Sequence, residues 1–135
     1  MPGFEGGKDV TTLYHPSLWG AAGAVQATPG DLLDWVEKLY ATNDVLTEAT
    51  RAQMTTGGKT NVSYLGYGLG AMVFDASRTD GNGTGYGHTG SVPGFMTEVV
   101  YHPSTKVAIA AFAADSKGVP HTFIVSTYKE LHTLE

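Results

Sequence analysis

Two periods divide the chain. From residue 28 to about residue 54 apolar positions recur every three or four residues. From residue 65 they alternate, until helical spacing returns near residue 120. The first helical signal opens at Thr28-Pro-Gly-Asp31. The Thr28 hydroxyl can accept from the Asp31 N–H, Pro29 suits a first turn, and Asp31 opposes the positive end of the helix dipole. Leu32, Val36, Leu39 and Tyr40 then share one face, with Asn43 as the expected C-terminal cap. Thr47 starts a second, shorter helix through about Met54, with Glu48 in its first turn. Residues 55–63 are polar and read as a loop.

Alternation begins at Leu65. Leu65, Tyr67, Leu69, Ala71 and Val73 fall on one face of a strand, and Gly66, Gly68 and Gly70 occupy most of the other. So bare a face needs another element pressed against it, or the glycines would only weaken the strand. A polar, glycine-rich loop follows from Asp75 to Gly85, then a strand carrying His88, a strand Phe95–His102 and a turn at His102-Pro-Ser-Thr-Lys106. Val107 to Ala114 is apolar on both faces, the pattern of a central strand covered on both sides. Pro120 opens a last helix with Phe123, Ile124, Tyr128 and Leu131 as its apolar stripe. The order is two helices, about four antiparallel strands and one helix. This is an α+β fold with the C-terminal helix on one face of the sheet.

Residues 1–20 are rich in Gly and Pro and read as an irregular lead-in, from which Tyr14 and Trp19 are expected to dock on the core. Residues 21–133 form the domain. Leu134-Glu135 is read as a vector scar and left out of the fold. At 135 residues the chain suits one domain with a hydrophobic core. Its net charge of −5, without a Lys/Arg cluster, argues against nucleic acid and anionic membrane as partners. No cysteine is present, which excludes disulfides and thiolate metal sites. No apolar run is long enough to span a bilayer, no signal-type segment opens the chain, and the compartment is left open.

Candidate chemistry concentrates in Tyr86-Gly-His-Thr-Gly-Ser-Val-Pro-Gly-Phe95. One reading is a polar edge strand with glycines for a bend. The other is a ligand site. Five glycines lie between Gly81 and Gly90, and the His88-Thr89 pair beside Ser91 combines side-chain donors with a free backbone N–H, as an anionic or carbonyl-bearing substrate requires. His15, His102, His121 and His132 have neither an i,i+4 partner nor a clustered carboxylate, so no metal site is expected. Glycines 81, 83 and 85 do not form G-x-G-x-x-G, and neither a nucleotide nor any other cofactor is expected.

That segment resembles the third active-site motif of the serine beta-lactamase and penicillin-binding-protein superfamily. The similarity is greatest to the class C beta-lactamase-like branch of D-Ala-D-Ala carboxypeptidases, D-aminopeptidases and esterases, many of which carry His-Thr-Gly in place of Lys-Thr-Gly. Ala22-Gly-Ala-Val25 followed by Thr28-Pro-Gly-Asp-Leu32 is similar to the family's helix start, and Tyr67-Gly-Leu-Gly70 to its Y-G-L-G strand. The resemblance covers the chain from about residue 20. It implies that His88, Thr89 and Gly90 line the cleft and bind substrate, and that the N–H of Ser91 is one of two oxyanion-hole donors. The family's nucleophile belongs to a Ser-x-x-Lys motif upstream of H-T-G, followed by a Tyr-x-Asn-type motif. Here Ser126-Thr-Tyr-Lys129 follows H-T-G instead, and seven serines and six lysines give about 0.3 such matches by chance. The chain thus reads as the C-terminal part of a serine hydrolase, a cloned fragment or a truncated gene, inactive alone. Its parent would hydrolyse D-Ala-D-Ala-like peptides, beta-lactams or small esters. A second reading is a non-catalytic module that forms a homodimer through an open 107–114 strand edge.

Overall fold

A computed structural model describes residues 1–62, 65–79, 81 and 83–132, with the backbone alone at 132. Residues 134 and 135, read above as a vector scar, lie outside the described residues. After a two-stranded hairpin of β1 (Phe4–Glu5) and β2 (Lys8–Asp9), the elements run α1 (Pro29–Tyr40), α2 (Glu48–Thr55), β3 (Gly58–Lys59), β4 (Leu65–Tyr67), β5 (Met72–Phe74), β6 (Gly85–Val92), β7 (Phe95–His102), β8 (Val107–Ala113) and α3 (Pro120–His132). Strands β3 to β8 form one six-stranded antiparallel sheet in sequence order. The α+β expectation and the C-terminal helix packed on the sheet hold, with six strands where about four were read.

Helix α1 begins as its sequence demands. The Thr28 hydroxyl accepts from the Asp31 N–H at 3.2 Å, and the Asp31 carboxylate accepts from the Thr28 N–H at 2.8 Å, so two first-turn donors are satisfied reciprocally. The helix stops at Ala41, two residues before the expected cap Asn43. The Asn43 side chain instead accepts from Arg51 Nη2 at 3.3 Å, and Arg51 also donates to the Thr42 carbonyl. The end of α1 is thus tied to α2 by a side chain nine residues away, which local capping rules do not see.

The alternating run from residue 65 to residue 73 is not one strand. It folds back as β4 and β5 through a turn in which Gly68 N–H donates to the Ala71 carbonyl at 2.8 Å and Gly70 takes φ +73°. Glycine makes this reversal inexpensive. Leu69, read as part of a packed face, sits at the turn tip and is 73% exposed. The pressing element expected against the glycines is the end of α2: a Cβ on Gly68 would lie 2.0 Å from the Met54 carbonyl oxygen. The close approach continues at Gly57, where a Cβ would lie 2.9 Å from the Val73 side chain, and the 55–63 stretch read as loop adds the short edge strand β3.

The core has two layers. On one face Val36 and Tyr40 of α1 pack with Val99 and Tyr101 of β7, with Ala108 and Ala110 of β8 against them. On the other, Ile124 and Tyr128 of α3 pack with Phe74, Val100, Ile109 and Ala111. Each buried Val, Ile or Phe among them is worth roughly 1.5–3 kcal/mol. Strand β8 is therefore covered on both faces as read, yet it is the edge of the sheet and not its centre. Apolar residues on both faces report helices above and below a strand and carry no information about neighbours in its plane. The α3 stripe is also narrower than read: Ile124 and Tyr128 are buried, while Phe123 and Leu131 are exposed.

Residues 1–20, read as an irregular lead-in, hold the β1–β2 hairpin and the start of a 3-10 segment, Pro16–Ala22, kinked at Gly20. Phe4 donates to the Ala114 carbonyl at 3.0 Å and accepts from the Ser116 N–H at 2.9 Å, and Val10 is buried. Tyr14 and Trp19 meet each other, ring centroids 6.5 Å apart.

Candidate active site

Strand β6 carries the motif, and its glycines are there for contact. A Cβ on Gly87 would stand 1.9 Å from the Val99 carbonyl oxygen, and one on Gly90 would stand 2.4 Å from Thr97 Oγ1. At Gly87 a side chain would displace the backbone of β7, and at Gly90 it would force the Thr97 hydroxyl to another rotamer. The β6–β7 hairpin closes at Val92 and Phe95 around Pro93-Gly94, with Gly94 at φ +84°, the sequence of a type II turn. Such a turn closes on a hydrogen-bonded pair. Counting back along the antiparallel ladder, the N–H and C=O of Ser91 and of Thr89 point away from β7. On that side β5 ends at Met72, opposite Gly87. Beyond Gly87 no described strand pairs with this side of β6, and the Ser91 N–H faces it.

The four motif residues do not converge as side chains. His88 and Thr89 start on opposite faces, beside Val99 and Glu98 respectively. The Thr89 hydroxyl meets the Met72 sulfur at 3.6 Å, while Gly90 offers only backbone. His88 is exposed and turns along the open edge. Its Nδ1 lies 2.5 Å from the Thr89 carbonyl oxygen and its Nε2 lies 2.8 Å from the Tyr67 hydroxyl. The Tyr67 and His88 rings meet edge-on, at 85° with centroids 5.7 Å apart. Behind them Tyr40 stacks between Tyr86 and Tyr101, at 5.9 and 6.3 Å. Burial, and then the nearby Tyr67, pushes the Tyr40 hydroxyl up to about 12. The site is thus an open strand edge with one gripped imidazole, a row of tyrosines and an outward backbone N–H. It can hold an anionic or carbonyl oxygen.

Sequence reasoning missed Tyr67 as a site residue, although the Tyr67-Gly-Leu-Gly70 pattern had drawn notice. It was placed on a strand face, and its contact with His88 spans β5. It also missed Glu98, which is buried and lies 2.8 Å from His121 Nδ1. That pair spans 23 residues and has no local signature. Among the other histidines, His15 bonds Ser17 at 2.8 Å, and the buried His102 ring lies 4.1 Å from Tyr128. Among the described residues no group of three or more His, Cys, Asp or Glu is arranged to hold a metal ion. Ser126 is exposed on α3 and donates to the Phe123 carbonyl at 2.9 Å, a bond within its own helix.

Residues 2–131 match the family model described as Beta-lactamase. The chain belongs to the beta-lactamase family. Its fold is shared with longer proteins of known structure. A D-stereospecific amidohydrolase from Streptomyces sp. superposes with a TM-score of 0.79 at 22% identity, covering 95% of this chain and 38% of that one. The D-amino acid amidase from Ochrobactrum anthropi SV3, complexed with D-phenylalanine, gives 0.75 at 18% identity, covering 98% and 44%. A penicillin-binding protein from Bacillus halodurans gives 0.63 at 19% identity, covering 78% and 31%. This beta-lactamase-family chain therefore spans less than half the length of these three proteins. A search of curated protein sequences returns no significant match.

Proposed function

We propose that this chain is the substrate-side wall of a beta-lactamase-family serine hydrolase. In the whole enzyme a serine would be acylated by a D-configured amide or peptide, a beta-lactam or a small ester, and the acyl group then released to water. His88 and the backbone of Thr89 and Gly90 would line the cleft, and the Ser91 N–H would be one of two donors to the oxyanion. One such donor is worth roughly two to three orders of magnitude in rate. The observation that carries this reading is the outward Ser91 N–H on an edge of β6 that β5 leaves open. The names of two of the similar structures, a D-stereospecific amidohydrolase and a D-amino acid amidase, favour amides of D-residues. Ser126, the serine of the Ser-x-x-Lys match, follows the H-T-G motif in the chain and donates to the Phe123 carbonyl of its own helix. The chain alone is therefore expected to be inactive. Turnover of nitrocefin, p-nitrophenyl acetate and D-phenylalanine amide by the purified chain tests this, with Ser126→Ala alongside. The expected result is no turnover above the variant. Turnover lost in Ser126→Ala would show that Ser126 acts as a nucleophile after all.

A second reading rests on the outer edge of β8. The parity that fixes β6 also turns the N–H and C=O of Ala108, Ala110 and Phe112 away from β7, and among the described residues they find no backbone partner. Such an edge favours strand addition, and a second copy of the chain pairing through residues 107–114 would satisfy it.

A further inference from the structure

Both nitrogens of the His88 ring are held, and the two holds are of different kinds. The Thr89 carbonyl can only accept, so the ring donates there through Nδ1–H. In the neutral imidazole that leaves Nε2 without a proton, and the Tyr67 hydroxyl must donate to it. The free Thr89 carbonyl is itself a product of the register, since it points away from β7. We propose that Tyr67 is a positioning residue that locks neutral His88 in the Nδ1–H tautomer, and that the pair takes a carboxylate ligand only when the imidazole is protonated.

The proton count makes the switch explicit. With neutral His88, the phenolic hydrogen of Tyr67 is committed to Nε2, and the pair shows a carboxylate only oxygen lone pairs. When a solvent proton adds to Nε2, the N–H donates to the Tyr67 oxygen instead. The phenolic hydrogen is then released toward the open edge, together with a full positive charge. Carboxylate binding is therefore coupled to the uptake of one proton. From α1 the titratable group facing the pair is Tyr40, and its hydroxyl, pushed up to about 12, stays neutral in this range. From β7 the side chain beside His88 is Val99, from β5 the residue on the His88 face is Val73, and from β3 the residue opposite Tyr67 is Gly58. None of these ionises. The choice of a carboxylate rests on the hydrolase reading above, whereas the tautomer stands independently of it.

The test is nitrogen-15 NMR of the imidazole in the full chain, wild type and Tyr67→Phe, with acetate as the probe ligand. The wild type is expected to show one neutral form with Nδ1 protonated and Nε2 bare. In Tyr67→Phe the Nε2–H form should become populated, because the donor that opposed it is gone. Acetate should bind wild type about tenfold more tightly at pH 5 than at pH 8, and Tyr67→Phe should lose several-fold of the affinity at pH 5. An Nε2–H form dominating in the wild type would overturn the proposal, as would identical tautomer populations in the two proteins. Acetate affinity unchanged between pH 8 and pH 5 would overturn the carboxylate assignment. The wild-type spectrum decides the tautomer by itself, so a poorly folded variant does not blunt the test. Because none of these readouts requires turnover, an inactive chain leaves them intact.

Discussion

Gly87 shows how one residue fixes the geometry of the motif strand. Its missing Cβ would collide with a backbone oxygen of β7, not with a side chain that could rotate away. Gly87→Ala should therefore destabilise the chain by about 3 kcal/mol, the upper range for overpacking, as read by urea unfolding. A fall of less than 1 kcal/mol would mean that β6 and β7 can separate without penalty. Asp31 works through charge. Its carboxyl is held below the usual value by the Thr28 N–H first and the Thr28 hydroxyl second. The charged form is thus favoured in the folded state. The resulting stability is fully present above the ordinary carboxylate range and is lost as pH falls through the lowered value. Asp9 and Asp75 shift in the same direction, chiefly through the hydroxyls of Thr11 and Ser77. Urea midpoints should therefore drop between pH 5 and pH 2, and Asp31→Asn should reduce that drop. An acid limb unchanged in Asp31→Asn would show that the capping box does not discriminate between charge states.

At the scale of the element, α3 separates pattern from packing. Phe123 and Ile124 are adjacent and both apolar, yet one is 57% exposed and the other 2%. Ile124→Ala should cost about 3 kcal/mol through lost contact and the residual cavity against Ile109 and Tyr128, while Phe123→Ala should change stability by less than about 0.5 kcal/mol. Thermal melts of the two variants decide it, and equal losses would mean that α3 is rotated on the sheet. The start of α1 was legible to the residue, because a capping box closes within four positions. The β7 strand was legible in full, since turn residues bound it at both ends. The reversal between β4 and β5 was not. Alternation survives a tight turn, and only the Gly68–Ala71 hydrogen bond and the carbonyl of Met54 reveal where the chain doubles back.

For the whole molecule, the open question is the rim of the sheet. If two copies pair through β8, light scattering at high micromolar concentration should give a dimer mass. Ala110→Pro should then give a monomer with its fold retained. The Ala110 N–H points away from β7, so proline there removes a donor from the outer edge and none from the β7–β8 ladder. A monomeric wild type would remove this reading, and a dimer that survives Ala110→Pro would place its interface elsewhere. At this scale the candidate site was half legible. The residues of the H-T-G-S motif could be read in order, but not that His88 would be clamped by Tyr67 while Thr89 turned to the opposite face.

The sequence by itself determined the α+β order, the two capped helices, the β6–β7–β8 meander and the likeness to the beta-lactamase family. Each of these is written in interactions that close within a few residues: caps, turns, and the period of apolar positions. The tertiary structure alone decided that β8 is an edge, that α3 buries Ile124 and not Phe123, that Glu98 meets His121, and that Tyr67 holds His88. Those facts depend on which elements lie beside one another. The hydrophobic pattern of a strand or helix records that it is covered, but not by what.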